Sequence, residues 1–395
     1  MAEVETFRAE VRQWLAHNAP HSIRGQATQS EGGGNWGGRN ATYAPPAMKV
    51  WLERMSAKGW TAPDWPTPYG GGGLSKGEVK VLREEMTALD LPLPLVGFGL
   101  TMIGPILLQY GTEEQKREHL PKIVRGEIRW CEGFSEPGAG SDLAALQTRA
   151  IRHGDSFIVN GQKVWNSLAH LADWMFMLVR TDPAKKHEGI TFLLVDMETP
   201  GVEVRPIRLI SGKSTFCETF FTDVSVPVSN VMGEIDGGWT IAKTLLSHER
   251  TMSLEASGFG GRGPSLQGWV RQYVDFADGR IADEALRQRV AQYEMDNRAF
   301  KLTTTRMQHN AKAGHAPGSE SAMFKIYSSE LLQRRNELLL ALAGPQALGW
   351  DGTGFTEEEL AITRAWLFSR ALSIAAGTSE VQLNIIAKRV LGLPD

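Results

Sequence analysis

The chain has 395 residues, of which 42 are Lys or Arg and 45 are Asp or Glu, so its formal charge of −3 excludes the strongly basic surface typical of nucleic-acid-binding proteins. Hydrophobic residues make up 42% and charged residues 22%, the balance of an ordinary globular protein with roughly two or three domains. Only Cys131 and Cys217 occur as cysteines, which excludes a disulfide framework and argues against a cysteine-based zinc site.

The ends of the chain carry no targeting pattern. Glu3, Glu5 and Glu10 stand where a signal peptide or a transit peptide requires basic or acid-free sequence. The final Leu-Pro-Asp is not a peroxisomal signal, and no run of about 18 apolar residues predicts a membrane span. We therefore expect a soluble protein of a reducing cytoplasm, with neither a membrane nor a nucleic acid as partner.

The segment 1–125 is predicted to be helical. Apolar residues of its first helix recur at spacings of three and four, which places them on one face. These residues are Val4, Phe7, Val11 and Leu15. A segment rich in Gly, Ser and Asn at 29–40 and a turn-rich segment at 63–73 are predicted loops, and 74–90 is a further predicted helix.

The segment 126–233 shows the pattern of a β domain. Five short stretches are rich in β-branched and aromatic residues and are bounded by Gly, Asp, Asn or Pro. These predicted strands are Ser156–Asn160, Trp174–Val179, Ile190–Val195, Val202–Val204 and Phe216–Phe221. Because their spacing leaves no room for crossover helices, we expect an antiparallel sheet or barrel rather than a doubly wound α/β fold.

The segment 234–395 returns to helical periodicity. Long predicted helices lie near 239–257, 283–312, 320–343 and 357–374. A last helix is predicted from the capping-box pattern of Ser379 with Gln382, and its end from Gly392. The order of helical, β and helical segments predicts a mostly helical α+β protein.

Two patterns invite a functional interpretation that their context does not support. Gly258, Gly260 and Gly263 have the spacing of a dinucleotide-binding fingerprint, but a helix rather than a strand precedes them, so we predict a connecting loop. His309 and His315 are six residues apart, the wrong spacing for one helical face, and we expect no metal site.

Two motifs of the β domain have the composition of a ligand site. Residues 137–140 carry almost no side chain and lie between the hydroxyls of Ser135 and Ser141, so a planar or anionic ligand could reach backbone N–H groups. An ordinary surface turn explains the same residues. Trp165 stands beside two hydrogen-bonding residues, so it either stacks on a ring system or is a core side chain.

Glu249 interrupts an otherwise apolar stripe of a predicted helix. The stripe runs through Trp239, Ala242, Leu245, Glu249, Met252 and Ala256. A carboxylate in this position faces the core or a pocket, which is costly unless the group is paired or functional. A structural ion pair with an arginine of a neighbouring helix is the alternative interpretation.

Several motifs in a fixed order resemble those of the acyl-CoA dehydrogenase family over nearly the whole chain. They are Gly59-Trp60 with Trp65-Pro66 and Tyr69-Gly70-Gly71, Phe134–Asp142, Gly161–Trp165 with Ala172-Asp173 and Arg180, Phe221–Pro227, Gly238-Trp239, Glu249-Arg250, Gly377–Gln382 and Val390–Pro394. The resemblance implies a helical domain at 1–125, a β-barrel-like domain at 126–233 and a helical domain at 234–395.

The resemblance also implies FAD and the dehydrogenation of a thioester. A base removes the proton α to the thioester carbonyl while the β-hydride passes to the flavin, which yields a trans-2-enoyl-CoA. By similarity, the residues at FAD are Glu132, Phe134, Ser135, Gly140, Ser141, Trp165, Asn166, Ser167, Thr378 and Glu380. Those at the acyl-CoA are Ser141, Arg250, Ala376 and Gly377. The backbone N–H of Ala376 is implied as a donor to the thioester oxygen, which acidifies the α-proton.

Two departures from the family pattern shape these expectations. The commonest base of the family is a Glu where this chain has Ala376, whereas a minority subgroup places its Glu where this chain has Glu249, so Glu249 is the expected base. The family's Arg-x-x-Phe-Gly motif, through which a neighbouring subunit contacts FAD, is missing between Phe276 and Ala285.

The pattern is most similar to enzymes of bacterial steroid side-chain degradation and to the large-subunit type of pimeloyl-CoA dehydrogenase. This similarity implies a bulky, branched, steroid-like or dicarboxylic acyl group and an electron-transferring flavoprotein as acceptor, in a bacterial cytoplasm. It also implies a tetramer, either of one chain type or α2β2 with a second acyl-CoA dehydrogenase-like chain. The alternatives are an acyl-CoA oxidase or flavin monooxygenase on the same scaffold, and a non-catalytic subunit of a heteromeric dehydrogenase.

Overall fold

The computed structural model describes residues 2–25, 34–255, 265–312, 318 and 321–394. The side chains of residues 2, 3, 247–255, 308, 311, 312 and 321 lie outside this description. The chain divides into two compact units, of which the first comprises Met1–Ile207 and Ser214–Leu245 and the second Arg208–Lys213 and Leu246–Asp395. The second unit thus includes a short piece from the middle of the chain.

The first unit begins with a helical layer. Its helices are α1 (Ala2–Asn18), α2 (Ala47–Ala57), α3 (Lys76–Ala88), α4 (Gly104–Tyr110) and α5 (Glu113–Val124). Val11 and Leu15 of the predicted stripe are buried in a core shared with α2 and α3, whereas Val4 is exposed. Ser75 and Thr112 begin α3 and α5 with capping boxes, which fixes where these helices start.

A mixed sheet follows the helical layer. Its strands are β1 (Trp130–Gly133), β2 (Arg149–His153), β3 (Ser156–Ser167), β4 (Trp174–Arg180), β5 (Ile190–Asp196), β6 (Val202–Ile207), β7 (Phe216–Pro227) and β8 (Val231–Met232). The order is β6-β7-β3-β2-β4-β5-β8, and β1 pairs with β4. All five predicted strands occur, and each begins at its predicted first residue.

The sheet departs from the antiparallel pattern in two places. β1 and β2 each pair parallel with β4, while the other neighbours are antiparallel. The expectation of a wholly antiparallel sheet is therefore wrong for these two pairs. The chain returns from β1 to β4 through the β2–β3 hairpin, so a parallel neighbour arises without a crossover helix.

β3 is one long strand with two irregularities where it pairs with β7. The sequence favours a turn at 159–162, but the register shift at Gly161 belongs to a bulge, and the strand continues to Ser167. A second shift isolates Trp165, whose φ of 63° lies in the left-handed region. A bulge adds a residue without reversing the strand, which is why the predicted turn is wrong.

The second unit is helical. α6 (Gly238–Glu255) begins in the first unit and ends in the second. The later elements are α7 (Leu266–Tyr273), β9 (Phe276–Ala277), β10 (Arg280–Ile281), α8 (Glu284–Lys312), α9 (Ser321–Ala343), α10 (Glu357–Ser369) and α11 (Ser379–Ile385). Trp269, Leu338 and Ile362 join α7, α9 and α10 in its core. The long predicted helices correspond to α6, α8, α9 and α10, but the last is shorter than predicted, because α10 ends at Ser369 and a 3-10 turn follows at Arg370–Ser373.

The start of α11 differs from its predicted form. Thr378 is the cap, because its hydroxyl accepts the backbone N–H of Val381 at 3.2 Å. The predicted capping box of Ser379 with Gln382 is therefore wrong. The Ser379 hydroxyl donates instead to the Ser373 carbonyl at 3.3 Å, and Gln382 is buried.

Along the chain, helices precede the strands of the sheet and further helices follow them. The protein is therefore mostly helical and of the α+β class, as the sequence predicts. Within the described ranges, no helix combines the length and the apolar composition required to cross a lipid bilayer.

Candidate active site

The loop after β1 forms a tight turn with open space around its glycines. Glu136 and Ala139 exchange two backbone hydrogen bonds, each 3.0 Å long. A Cβ atom added at Gly138 or Gly140 would meet nothing within 4 Å, so the packing of the chain does not require glycine at either position. Close approach of a ligand to the backbone gives both glycines a reason. The loop backbone is therefore accessible, as the predicted site for a planar or anionic ligand requires, and the assignment of a ligand to it stays a prediction.

A buried ion pair closes the base of this loop. Lys163 of β3 is fully buried, Glu136 is 7% exposed, and Lys163 Nζ lies 2.8 Å from Glu136 Oε1. Glu136 also accepts the backbone N–H groups of Gln147 at 2.6 Å and Thr148 at 2.9 Å. Lys163 donates in addition to the Phe134 carbonyl at 3.1 Å. The pair thus ties the first part of the loop and the start of β2 to β3.

Burial has opposite consequences for the two members of this pair. It lowers the pKa of Lys163 to about 8, although the Glu136 carboxylate opposes the shift. Burial also raises the pKa of Glu136, but the Lys163 charge and the hydrogen bonds outweigh it and hold that pKa below its ordinary value. Sequence reasoning missed this pair. Lys163 lies beyond the predicted strand Ser156–Asn160, and nothing local to either residue indicates the partner.

Backbone and amide hydrogen bonds join the loop to the end of β3. The Val164 N–H donates to the Ser135 carbonyl at 2.9 Å, and Asn166 Nδ2 donates to the Glu132 carbonyl at 2.7 Å. The Asn166 side chain is buried and also accepts from Thr219 Oγ1 at 2.9 Å. The two segments that the sequence assigns to a flavin are therefore adjacent in the first unit.

Trp165 points outward between these contacts. Its side chain is 56% exposed and meets Phe216 edge to face at 6.2 Å. The interpretation of Trp165 as a core side chain is therefore wrong. Phe134 behaves differently, because it is buried and packs edge to face against Phe176 and Phe192. Of these two aromatic side chains, only the Trp165 ring is open to a ligand.

The remaining predicted residues of this region differ in exposure. Gly140 and Ser141 are exposed, and Glu132, Ser135 and Ser167 are half-buried. The half-buried and exposed residues among them leave polar atoms accessible at both segments that the sequence assigns to a flavin.

Arg180 holds the corner that follows Ser141. Its guanidinium donates to the Ala144 carbonyl at 2.7 Å and to the Lys185 and Lys186 carbonyls at 2.7 and 2.8 Å. The Lys186 ammonium in turn lies 3.0 Å from Asp142 Oδ2. One buried arginine therefore ties the end of the loop to the β4–β5 connection.

In the second unit, the turn before α11 has two consecutive residues in the left-handed region. Ala376 has a φ of 55° and Gly377 a φ of 84°. The φ of Gly377 is one that residues with a side chain rarely adopt, so this position favours glycine. Thr378 caps α11, and Glu380 is exposed in its first turn.

Lys325 of α9 anchors this turn. Its side chain is 8% exposed, and its Nζ donates to the Ser373 carbonyl at 3.1 Å. Burial lowers the pKa of Lys325, while the Glu380 charge opposes the shift. The lysine therefore fixes the backbone shortly before Ala376.

Glu249 and Arg250 lie in α6, and their side chains are outside the described part of the chain. The preceding stripe positions Ala242 and Leu245 are fully buried, as the sequence predicts. Gly258, Gly260 and Gly263 also lie outside the described residues. The assignment of Glu249 as a base thus stays a prediction.

No group of three or more His, Cys, Asp or Glu side chains in the described ranges is placed to hold a metal ion.

Models of the three acyl-CoA dehydrogenase domains match the chain. The N-terminal domain matches residues 1–127, the middle domain residues 131–224 and the C-terminal domain residues 236–391.

Relatives and solved structures are similar over full length. "Acyl-CoA dehydrogenase IpdE1" of Mycobacterium tuberculosis is 36% identical over 100% of this chain and 99% of its own. The solved structure described as "Tcur3481-Tcur3483 steroid ACAD" is 29% identical, with a TM-score of 0.74 over 100% of this chain and 98% of that one. The "ChsE4-ChsE5 complex from Mycobacterium tuberculosis" is 28% identical, with a TM-score of 0.73 over 100% and 98%.

Proposed function

Because the chain belongs to the acyl-CoA dehydrogenase family, oxidoreductases that act on a CH–CH bond of an acyl-CoA, we propose that it is an FAD-dependent dehydrogenase that yields a trans-2-enoyl-CoA. The observation that carries the proposal is the junction of the loop after β1 with the end of β3. Gly138 and Gly140 leave open space around the loop, Val164 bonds the Ser135 carbonyl of that loop, and the ring of the next residue, Trp165, is exposed.

The residues of this chain that would hold FAD lie in two places. In the first unit they are Glu132, Phe134, Ser135, Gly140, Ser141, Trp165, Asn166 and Ser167. In the second unit they are Thr378 and Glu380. Because Phe134 and Asn166 have side chains committed to the fold, their contribution comes from the backbone. FAD, when bound, would supply the oxidant that takes the hydride from Cβ.

The proton transfer is assigned to the chain itself. The Glu249 carboxylate takes the α-proton, since Ala376 at the family's usual position of the base has no acid–base group. The backbone N–H of Ala376 donates to the thioester oxygen and stabilises the charge that develops as the proton leaves. Arg250, Ser141 and Gly377 complete the proposed acyl-CoA contacts.

A bulky acyl group is the proposed substrate. Ser373, Ala375 and Ala376 approach the Gly377 turn with small side chains, and a base on α6 leaves that turn uncrowded. The name of one similar structure contains the word steroid, which supports a branched, cyclic, steroid-like or dicarboxylic thioester over a short straight chain. Electrons would pass to an electron-transferring flavoprotein in the bacterial cytoplasm.

The proposed assembly is a tetramer, with α2β2 favoured over a single chain type. Exposed apolar side chains are frequent in the second unit, as on Leu348, Trp350, Ile374, Leu383, Leu391 and Leu393. Two similar structures carry paired names, which supports two chain types. The missing Arg-x-x-Phe-Gly motif points the same way, since a partner that retains it would complete the flavin site.

The test is the visible spectrum of the purified chain, first alone and then with a panel of acyl-CoA thioesters. Bleaching of an oxidised flavin by bulky thioesters, followed by slow reoxidation in air, is the expected result. Rapid reoxidation by oxygen would indicate an oxidase or monooxygenase instead. If no thioester bleaches the flavin, with or without the partner chain, this chain is a non-catalytic subunit. If butyryl-CoA is the best substrate, the proposal of a bulky acyl group is wrong.

A further inference from the structure

The ion pair of Glu136 and Lys163 lies between the two segments that the proposed function assigns to FAD. Glu136 directly follows Ser135 in the loop, and Lys163 lies two residues before Trp165 on β3. Their charged atoms are 2.8 Å apart, and Lys163 is fully buried. A buried ion pair is weak support for stability, because removal of both charges from water costs about as much as their attraction returns. The pair therefore calls for a further role.

The contacts of the pair indicate that role. Lys163 Nζ holds the Phe134 carbonyl at the start of the loop at 134–141, and Glu136, within that loop, holds the N–H groups of Gln147 and Thr148 just before β2. The pair thus ties the first part of the loop and the start of β2 to the same point of β3. At the tip, Ala139 is buried and exchanges two backbone hydrogen bonds with Glu136, so the backbone of Glu136 also holds the tip. The space around Gly138 and Gly140 is open to beyond 4 Å from where a Cβ atom would lie.

The same stretch of β3 connects this anchor to Trp165. Val164, the residue after Lys163, donates its N–H to the Ser135 carbonyl at 2.9 Å. The next residue is Trp165, isolated by the bulge, and beyond it Asn166 holds the Glu132 carbonyl at 2.7 Å. A shift of Lys163 relative to the loop would therefore change the spacing between the loop backbone and the Trp165 ring.

We propose that Glu136 and Lys163 form a positioning pair that sets the loop at 134–141 against Trp165, Asn166 and Ser167, and that the affinity for the flavin cofactor depends on this spacing. The inference rests on the proposed FAD site. Neither side chain contacts the cofactor in this proposal, since both are buried beneath the loop. Their effect acts through the backbone of the loop.

The test compares cofactor affinity with folding stability in E136Q, K163M and E136Q/K163M. Each protein, with any chain that co-purifies with it, is stripped of flavin and titrated with FAD by fluorescence, and its thermal unfolding is followed without FAD. Each single change leaves a buried charge without its partner, so E136Q and K163M should each lower the midpoint temperature of unfolding. The double change removes both charges, so its midpoint should recover towards that of the parent.

Affinity should behave differently from stability. The Kd for FAD should rise at least 10-fold in K163M and stay raised in E136Q/K163M, because methionine cannot donate to the Phe134 carbonyl. K163R, which retains a donor and a charge, should recover part of the affinity. If affinity returns with stability in the double variant, or if Kd stays within twofold of the parent in all variants, the positioning role is wrong.

E85Q is the matched control. Glu85 is 2% exposed and pairs with Arg8 and Arg12 between α1 and α3, so it is a buried paired carboxylate that touches neither assigned segment. Its change should lower the midpoint while the Kd for FAD stays at the parental value. A parent that fails to bind FAD both alone and together with a partner chain that retains the Arg-x-x-Phe-Gly motif would overturn the proposed cofactor and this inference together. A parent that binds FAD with the same affinity as its variants would overturn the inference alone.

Discussion

At the scale of single residues, Glu249 carries the proposed proton transfer. It follows Leu245 by four residues and Ala242 by seven on α6, and both of those side chains are fully buried. An amide in place of the carboxylate cannot accept a proton from carbon. In E249Q, we expect the rate of flavin reduction by a good thioester to fall by about 1,000-fold, while thioester binding is retained. Stopped-flow absorbance of the flavin measures this rate.

The control for this change is E234Q, because Glu234 is an exposed carboxylate just before α6. It should retain the parental rate. A near-parental rate in E249Q would instead assign Glu249 to a structural ion pair.

His119 gives the first unit a pH-dependent stability. Its ring is 2% exposed and packs edge to face on Trp130 at 5.2 Å and Trp174 at 4.7 Å. Burial lowers the pKa of His119 from 6.5 to about 4. Between these values the unfolded chain binds a proton that the folded chain does not, so the stability present above pH 6.5 should decrease by about 3 kcal/mol as the pH falls to 4.

Chemical unfolding at a series of pH values measures this loss. In H119F, the loss of unfolding free energy between pH 6.5 and pH 4 should be smaller than in the parent by about 3 kcal/mol. H153F is the matched control, because His153 is exposed at the end of β2, and its loss should equal that of the parent. An H119F profile that parallels the parent would contradict the assignment.

At the scale of elements, the turn before α11 depends on its anchor from α9. Lys325 holds the Ser373 carbonyl at 3.1 Å, and Ala376 follows in a left-handed conformation. Loss of the ammonium should let the Ala376 N–H move relative to the proposed position of the thioester oxygen. In K325M we expect kcat for the thioester to fall by about 10- to 100-fold with a smaller change in KM, since a displacement of about 1 Å can reduce the rate this much.

Steady-state kinetics with a saturating electron acceptor measure kcat and KM separately. R370M is the control, because Arg370 bonds the exposed Glu337 at 2.6 Å across α9 and the end of α10 without holding the Ser373 carbonyl. Equal losses in both variants would reduce Lys325 to a general packing role.

The elements also show what periodicity predicts and what it does not. The strand starts follow from runs of β-branched and aromatic residues bounded by turn residues, and the long helices follow from apolar spacings of three and four. Local sequence records both directly. The bulge at Trp165 and the parallel pairing of β1 do not, because both depend on which strand becomes the neighbour. The cap of α11 lies one residue before its predicted position, since Thr378 and Ser379 are both able to cap and their choice depends on the Ser373 carbonyl.

The candidate site also has parts that the sequence predicts and parts that it does not. The glycine loop and Trp165 can be found from composition, because small residues and an aromatic ring beside polar groups are visible in the sequence. The Lys163 anchor cannot, since its partner Glu136 lies 27 residues earlier and their contact depends on the packing of the loop on β3. Buried ion pairs of this kind are properties of tertiary structure.

At the scale of the whole molecule, the missing Arg-x-x-Phe-Gly motif predicts that the chain needs a different partner. Expressed alone, it should bind less than one flavin per subunit, and with a chain that retains the motif it should form a tetramer with more flavin bound. Light scattering for mass and absorbance for flavin measure both quantities. An active assembly of this chain alone with full flavin would show that no partner is required.

The second unit includes a short segment from the middle of the chain, and this arrangement has a consequence for biosynthesis. The connection from β6 to β7, Arg208–Lys213, belongs to that unit, and a Cβ atom at Gly212 would lie 3.0 Å from Cζ2 of Trp350. The ribosome makes this loop long before it makes Trp350. Both arms of the β6–β7 hairpin can therefore pair in the nascent chain while the loop between them still lacks its packing surface. Pairing of β6 with β7 and packing of this loop on Trp350 can thus be separate events, and only the second waits until Trp350 has been made.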